Sequence, residues 1–329
     1  MSRIVDAHHH FIDPARAGYP WLTTDMAPID RRFGPEDLAP ELAAAGVDAS
    51  IVVQTRSSAE ETREFLATAA VTPFIAGVIG WVDLTAATVV DDIAALRSAP
   101  GGDRLVGIRH QVHDEPDPAW LLRGDVRRGL AAVGAAALSC DLLVRTRELP
   151  AALTVVRGRP DMRFVIDHLA KPPIGSGDLD AWTSRLRPFG GLEHVWCKMS
   201  GLVTEADWRS WRVADLTPAV EIALGIFGPA RLIFGSDWPV CLLAGSYAEV
   251  VATARELTGG LSEGERADVF GGSAARAYPG SVRPDRGGST LAPRVSRRPS
   301  PGGGRACRAR RRACPAPAGG GCPCRRGRR

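Results

Sequence analysis

Eight short runs rich in Val, Ile, Leu and Phe recur through residues 1–280, each followed by a segment of helical character. They read as strands near Arg3–His8, Ser50–Gln54, Phe74–Val82, Val106–His110, Ser139–Val144, Arg163–His168, Val195–Ser200 and Arg231–Asp237. The runs lack the polar–apolar alternation of a half-exposed strand, as expected of parallel strands covered on both faces. The segments between them carry helix signals. Glu36–Ala45 ends at Gly46, a C-terminal glycine. Ser58 and Glu61 have capping-box spacing ahead of Thr62–Ala70, and Ser262 and Glu265 repeat it ahead of the last helices. Thr217-Pro218 places a cap residue before a first-turn proline. Eight strands with crossover helices predict a closed α/β fold, the (β/α)8 TIM barrel. The rival is an open doubly wound sheet.

Chemistry separates the two. His8 and His10 end the first run within Asp6-Ala7-His8-His9-His10, and period-two geometry points both to one face while His9 points outward. His168 ends the sixth run, and Asp237 ends the eighth in Phe234-Gly235-Ser236-Asp237-Trp238-Pro239. Taken singly, each has a bland alternative: a core histidine, or a turn aspartate. In an open sheet the first and last strands need not meet. Closure makes them neighbours and gathers His8, His10, His168 and Asp237 at one mouth, where sites of this fold sit. Such an N/O donor set with an open position suits one catalytic divalent ion, Zn²⁺ above others. Arg109 and His110 end the fourth run, the first to hold a carboxylate or polarise a carbonyl, the second to move a proton. Of 41 basic residues only Lys171 and Lys198 are lysines, and both lie at or near strand ends. Trp21, in the long loop after the first run, and Trp81 and Trp238, after the third and eighth, are candidates for a pocket wall.

The net charge of +4 conceals two unlike regions. From Ser281 onward the chain has 14 arginines and one acid, which leaves 27 of the 41 basic and 36 of the 37 acidic residues in the acidic body. No nucleic-acid footprint is expected on that body. The tail, residues 281–329, is rich in Arg, Pro and Gly and cannot bury enough surface to offset its ordering entropy, so disorder is expected. Its composition also matches a GC-rich gene read out of frame, the reading favoured over a basic binding arm. Cys140, Cys197 and Cys241 lie in or beside strand runs and read as buried thiols of a reduced compartment. Cys307, Cys314, Cys322 and Cys324 match no zinc-site spacing. No run of eighteen apolar residues is present, and Ile4-Val5-Asp6 already reads as strand, so neither a membrane span nor a signal peptide is expected and the cytoplasm is the expected location.

The ordered motifs resemble a known family. Asp6-Ala7-His8-His9-His10, Gly80-Trp81-Val82-Asp83-Leu84, Gly107-Ile108-Arg109-His110-Gln111, Asp167-His168-Leu169-Ala170-Lys171-Pro172, Val195-Trp196-Cys197-Lys198-Met199-Ser200-Gly201-Leu202 and Gly235-Ser236-Asp237-Trp238-Pro239-Val240 follow one another as in the amidohydrolase-related TIM-barrel hydrolases that include sugar lactonases. The resemblance spans about residues 3–279 and leaves the tail without a counterpart. It implies metal ligands at His8, His10, His168 and Asp237. The fifth run ends at Arg145 without a histidine, and the fourth offers no bridging Lys or Glu, so one metal is expected rather than two. Relatives of this kind also include enzymes that work without metal. The implied reaction is opening of a small sugar-acid lactone, with Asp237, His168 and His110 moving protons and Arg109, Lys171, Lys198, Trp21 and Trp238 holding substrate. Non-oxidative decarboxylation or amide hydrolysis on the same site is the alternative, followed by a non-catalytic sugar- or polyanion-binding barrel. The partner expected is a small molecule, with a homo-oligomer open.

Overall fold

The structure, a computed structural model, describes residues 3–281. Its strands are β1 Val5–His9, β2 Ala49–Val53, β3 Ile75–Gly80, β4 Leu105–His110, β5 Ser139–Leu142, β6 Phe164–Ile166, β7 Val195–Met199 and β8 Leu232–Phe234. All eight coincide with the expected runs, most trimmed by one to three residues. They lie in sequential order, and every pair is parallel. Just beyond β8 the ring closes: the Asp237 amide donates to His8 O at 2.7 Å and the His10 amide to Trp238 O at 2.7 Å. The open-sheet rival is thereby excluded.

The crossover helices are α1 Pro35–Ala45, α2 Ala59–Val71, α3 Val89–Ser98, α4 Gly124–Ala135, α5 Leu149–Arg157, α6 Asp180–Leu186, α7 Val213–Phe227 and α8 Tyr247–Leu257. The short helices α9 Glu263–Ala267 and α10 Ser273–Ala277 end the described chain. Gly46 closes α1 in left-handed backbone, and Ser262 and Glu265 form the full capping box of α9. At α2 only half of the expected box exists: Ser58 accepts from the Glu61 amide, but the Glu61 carboxylate turns instead to Thr55 and Arg56. The expected start at Thr217-Pro218 is corrected. Asp215 accepts from the Arg212 amide at 2.7 Å, so α7 begins a turn earlier and Pro218 lies inside it.

Two apolar cores result. One fills the shell between strands and helices. The other fills the barrel itself with Val5, Ala7, Ile51, Val53, Ile79, Val165, Trp196 and Ile233. Ala274, Ala277 and Tyr278 plug the latter from the end opposite the strand C-termini. Tyr278 is fully buried, and its hydroxyl donates to Asp141 at 2.8 Å. Ser281 is also buried against this base, and the expectations for the rest of residues 281–329 lie outside the described residues. No helix among the described residues is long and apolar enough to cross a membrane.

Candidate metal centre and active site

The site begins with an irregularity in β1. Its pairing with β2 slips between Asp6 and His9, the signature of a β-bulge. Before the slip, Val5 and Ala7 belong to the inner core while the Asp6 carboxylate accepts from Ser236 and from Tyr247 of α8. Beyond it, His8 and His10 turn toward Asp237, and His9 turns outward to Ser50 Oγ at 2.9 Å. His9 is nonetheless fully buried, and burial pushes its imidazole down to about 3.

Strained backbone delivers the other two groups. His168, Leu169, Ala170 and Lys171 all have positive φ, a single left-handed turn after β6, and Asp237 has φ +60 after β8. Such residues cost roughly 1–2 kcal/mol each and cluster where geometry serves function. The turn is pinned by Trp182 Nε1 donating to Leu169 O at 2.7 Å and by the Lys171 amide donating to His168 O at 2.7 Å. Gly201, at φ +63, makes room: a Cβ there would lie 2.6 Å from His168 Nδ1 and 2.9 Å from Asp237 Oδ2. Gly235 does the same for the seam, where a Cβ would lie 2.6 Å from His8 Cβ.

Three imidazoles therefore converge on one carboxylate oxygen. Asp237 Oδ1 lies 3.3 Å from His10 Nε2, 3.7 Å from His8 Nε2 and 4.0 Å from His168 Nε2. His8, His168 and Asp237 each offer a ligand atom within 4.8 Å of the other two. The remaining ring nitrogens are held from behind. His10 Nδ1 donates to Val53 O at 2.8 Å, which turns Nε2 toward Asp237. His168 Nδ1 is hydrogen-bonded to Ser200 Oγ at 2.9 Å. His8 Nδ1 lies 3.3 Å from Lys198 Nζ and 3.5 Å from Asp167 Oδ1. Outer partners of this kind orient metal-binding imidazoles. Burial, and for His8 also the Lys198 ammonium, holds His8 well below its ordinary value; burial holds His168 at about 4. Burial would raise Asp237, but the neighbouring rings, His168 foremost, hold it well below the carboxylate range. His8 and His168, both favoured in neutral form beside an ionised Asp237, have the protonation states a divalent cation requires, so these residues fit such an ion.

The centre forms one end of a cavity of about 320 Å³ lined by His10, Trp21, Arg109, His168, Lys171 and Asp237, among others. That volume suits a small molecule. Of the expected substrate contacts, Trp21 and Lys171 line it, with Lys171 Nζ paired to Glu205 at 2.6 Å. Arg109 also lines it, but its donors are spent on Gln54, on Asp167 at 3.0 Å and near His8 Nε2 at 3.2 Å. Three expectations are corrected. His110 follows Arg109 and so faces the other way: it is bonded to Glu115 and Trp81 and stacked on Trp120 with ring centres 4.2 Å apart, outside the cavity lining. Lys198 is fully buried against Asp141 at 2.6 Å and Asp167 at 3.1 Å, and is a support for His8 rather than a substrate contact. Trp238 is buried against Phe11 and Phe33, where it closes the barrel seam.

The sequence reading passed over Asp141, Asp167, Ser200 and Gly201 as site residues. A lone carboxylate within a buried strand, as at Asp141, was the available signal, because such a charge must be paired; its partner Lys198 was noticed for another reason.

A family model described as Amidohydrolase matches residues 5–280. An L-fucono-1,5-lactonase of Burkholderia multivorans is 41% identical over 285 residues, covering 83% of this chain and 95% of that protein. One of Burkholderia ambifaria is 40% identical, covering 84% and 96%. A crystal structure of a Burkholderia multivorans amidohydrolase with bound Zn superposes with a TM-score of 0.80 at 39% identity, covering 84% of this chain and 99% of that one.

Proposed function

The chain belongs to the amidohydrolase family, and from that premise we propose that its mouth cavity opens a sugar-acid lactone by attack of water on the ring carbonyl. The protein is a lactone-hydrolysing enzyme of that family. The observation that carries the site assignment is the approach of three imidazole Nε2 atoms to within 3.3–4.0 Å of Asp237 Oδ1 beside a substrate-sized cavity. Two L-fucono-1,5-lactonases at 41% and 40% identity support the substrate class.

A divalent metal fits the centre, with His8, His168 and Asp237 to hold it and His10, 3.3 Å from Asp237 Oδ1, to join them, and we assign zinc because a relative's crystal structure contains it. When bound, such an ion supplies Lewis acidity and lowers the pKa of a water. The chain's own residues do the rest. Asp237, ionised and aimed into the cavity, accepts a proton from the attacking water and returns it to the leaving ring oxygen. His10 and His168 stand beside it, fixed by Val53 and Ser200. Lys171, on the cavity wall, opposes the negative charge that develops on the carbonyl oxygen. Arg109 holds Gln54 and Asp167 in place rather than reaching substrate. Replacing Asp237 with Asn is expected to lower kcat for L-fucono-1,5-lactone by about 10²- to 10⁴-fold while the far-ultraviolet circular dichroism stays unchanged. Near-normal turnover in that variant would remove Asp237 from this role.

A further inference from the structure

Three cations line the cavity, and they differ in what they already hold. Arg109 is committed to Gln54 and Asp167, and Lys171 to Glu205. Arg145, in the loop after β5, has no carboxylate partner among the described residues. Its Nε donates to His113 Nδ1 at 3.3 Å, and no acceptor among the described residues takes its two Nη groups. His113 is able to accept because burial, and then the charges of Lys171 and Arg145, push its imidazole down to about 3 and keep it neutral. Its Nε2 lies on the side of Asp114, 3.6 Å from Oδ1.

The loop that carries Arg145 is held firmly. The Arg145 amide donates to Glu148 Oε2 at 2.8 Å. The His113 amide donates to Leu143 O at 3.1 Å, and Arg147 donates to the carbonyls of His113 and Glu115 at 3.2 and 2.6 Å. The loops after β4 and β5 are thus stapled together, with a planar guanidinium edge left open on the cavity. Fixing Nε on one side leaves the Nη1–Nη2 edge, a fork that matches two adjacent oxygens. A lactone presents such a pair either in its ester group or in neighbouring ring hydroxyls; the ester group is placed at Asp237 and Lys171 by the reaction above, which leaves the hydroxyls for Arg145.

We propose that Arg145, held by His113, is a specificity-determining residue that binds a pair of neighbouring hydroxyls on the lactone ring. This rests on the lactonase reading above and adds which group of the protein selects a polyhydroxylated ring over a bare one. The test compares L-fucono-1,5-lactone with δ-valerolactone, which has the same ring size and no hydroxyls. In the wild-type holoenzyme and in Arg145→Met, the ratio of kcat/KM for the hydroxylated over the bare lactone is measured. The ratio is expected to fall at least about tenfold, the scale of a lost hydrogen bond to a charged group, mainly through KM. An unchanged ratio overturns the proposal. If the wild type opens neither lactone, the lactonase reading fails by itself, and Arg145 is then judged by calorimetric binding of L-fucose, a neutral ring that carries neighbouring hydroxyls and no carboxylate. Weaker binding in Arg145→Met upholds the role, and equal binding overturns it. Arg145 is exposed and only its backbone is needed by Glu148, so the variant is expected to unfold at the wild-type urea concentration.

Discussion

At Gly201 the whole centre depends on a missing atom. The residue has φ +63, and a methyl group there would sit within 3 Å of both His168 Nδ1 and Asp237 Oδ2. Gly201→Ala therefore faces a backbone penalty of about 1–2 kcal/mol and a collision with two proposed ligands. Metal content after dialysis against a buffered zinc solution is expected to fall well below the wild-type value while the barrel persists. Full metal occupancy in that variant would show that His168 and Asp237 tolerate displacement. His168 and Asp237 themselves were legible in the sequence, because each ends an apolar run at a predictable edge. Their left-handed backbone was not: four consecutive positive φ values in His168-Leu169-Ala170-Lys171 defy residue propensity and are imposed by tertiary bonds such as Trp182 to Leu169. His110 illustrates the converse. Its position beside a strand end was correctly read, but a one-residue difference in a strand reverses the face, and Arg109 took the inward one.

Among the elements, β5, β7 and the residue just beyond β6 each contribute one charge to a layer below the cavity: Asp141, Lys198 and Asp167. The layer is fully buried, and Tyr278 joins it from beneath. Removing the one ammonium would strand two carboxylates without water, so Lys198→Met is expected to destabilise the fold by about 3–5 kcal/mol. Urea denaturation measures it, and a loss under about 1 kcal/mol would mean that Arg109 and Tyr278 suffice. The strands could be read from the chain because parallel strands buried on both faces have a distinctive apolar signature, and barrel closure because His8 and Asp237, at the ends of the first and last runs, needed a common mouth. The slip in β1 could not, since a bulge leaves no mark in the spacing of His8 and His10; it shows only in the pairing with β2. Nor could the start of α7, where Asp215 outcompeted the Thr217-Pro218 signal.

For the molecule as a whole, acid sensitivity follows from its imidazoles. His8, His9, His110, His113 and His168 are all held below their ordinary value, chiefly by burial. A group depressed on folding takes up protons more readily when unfolded, so its stabilising effect is present above about pH 6.5 and is lost as the pH falls. Asp6 and Asp141, raised by burial to about 6, act in the opposite sense, but they are two against five. The urea midpoint is thus expected to drop between pH 7 and pH 5, and a flat or rising profile would contradict this accounting. Barrel closure has a further consequence for how the protein is made. His8 leaves the ribosome more than two hundred residues before Asp237 and the plugging Tyr278. A nascent chain that stops short of β8 holds the imidazoles without Asp237 to meet them, so activity arises only when β8 slots in beside β1.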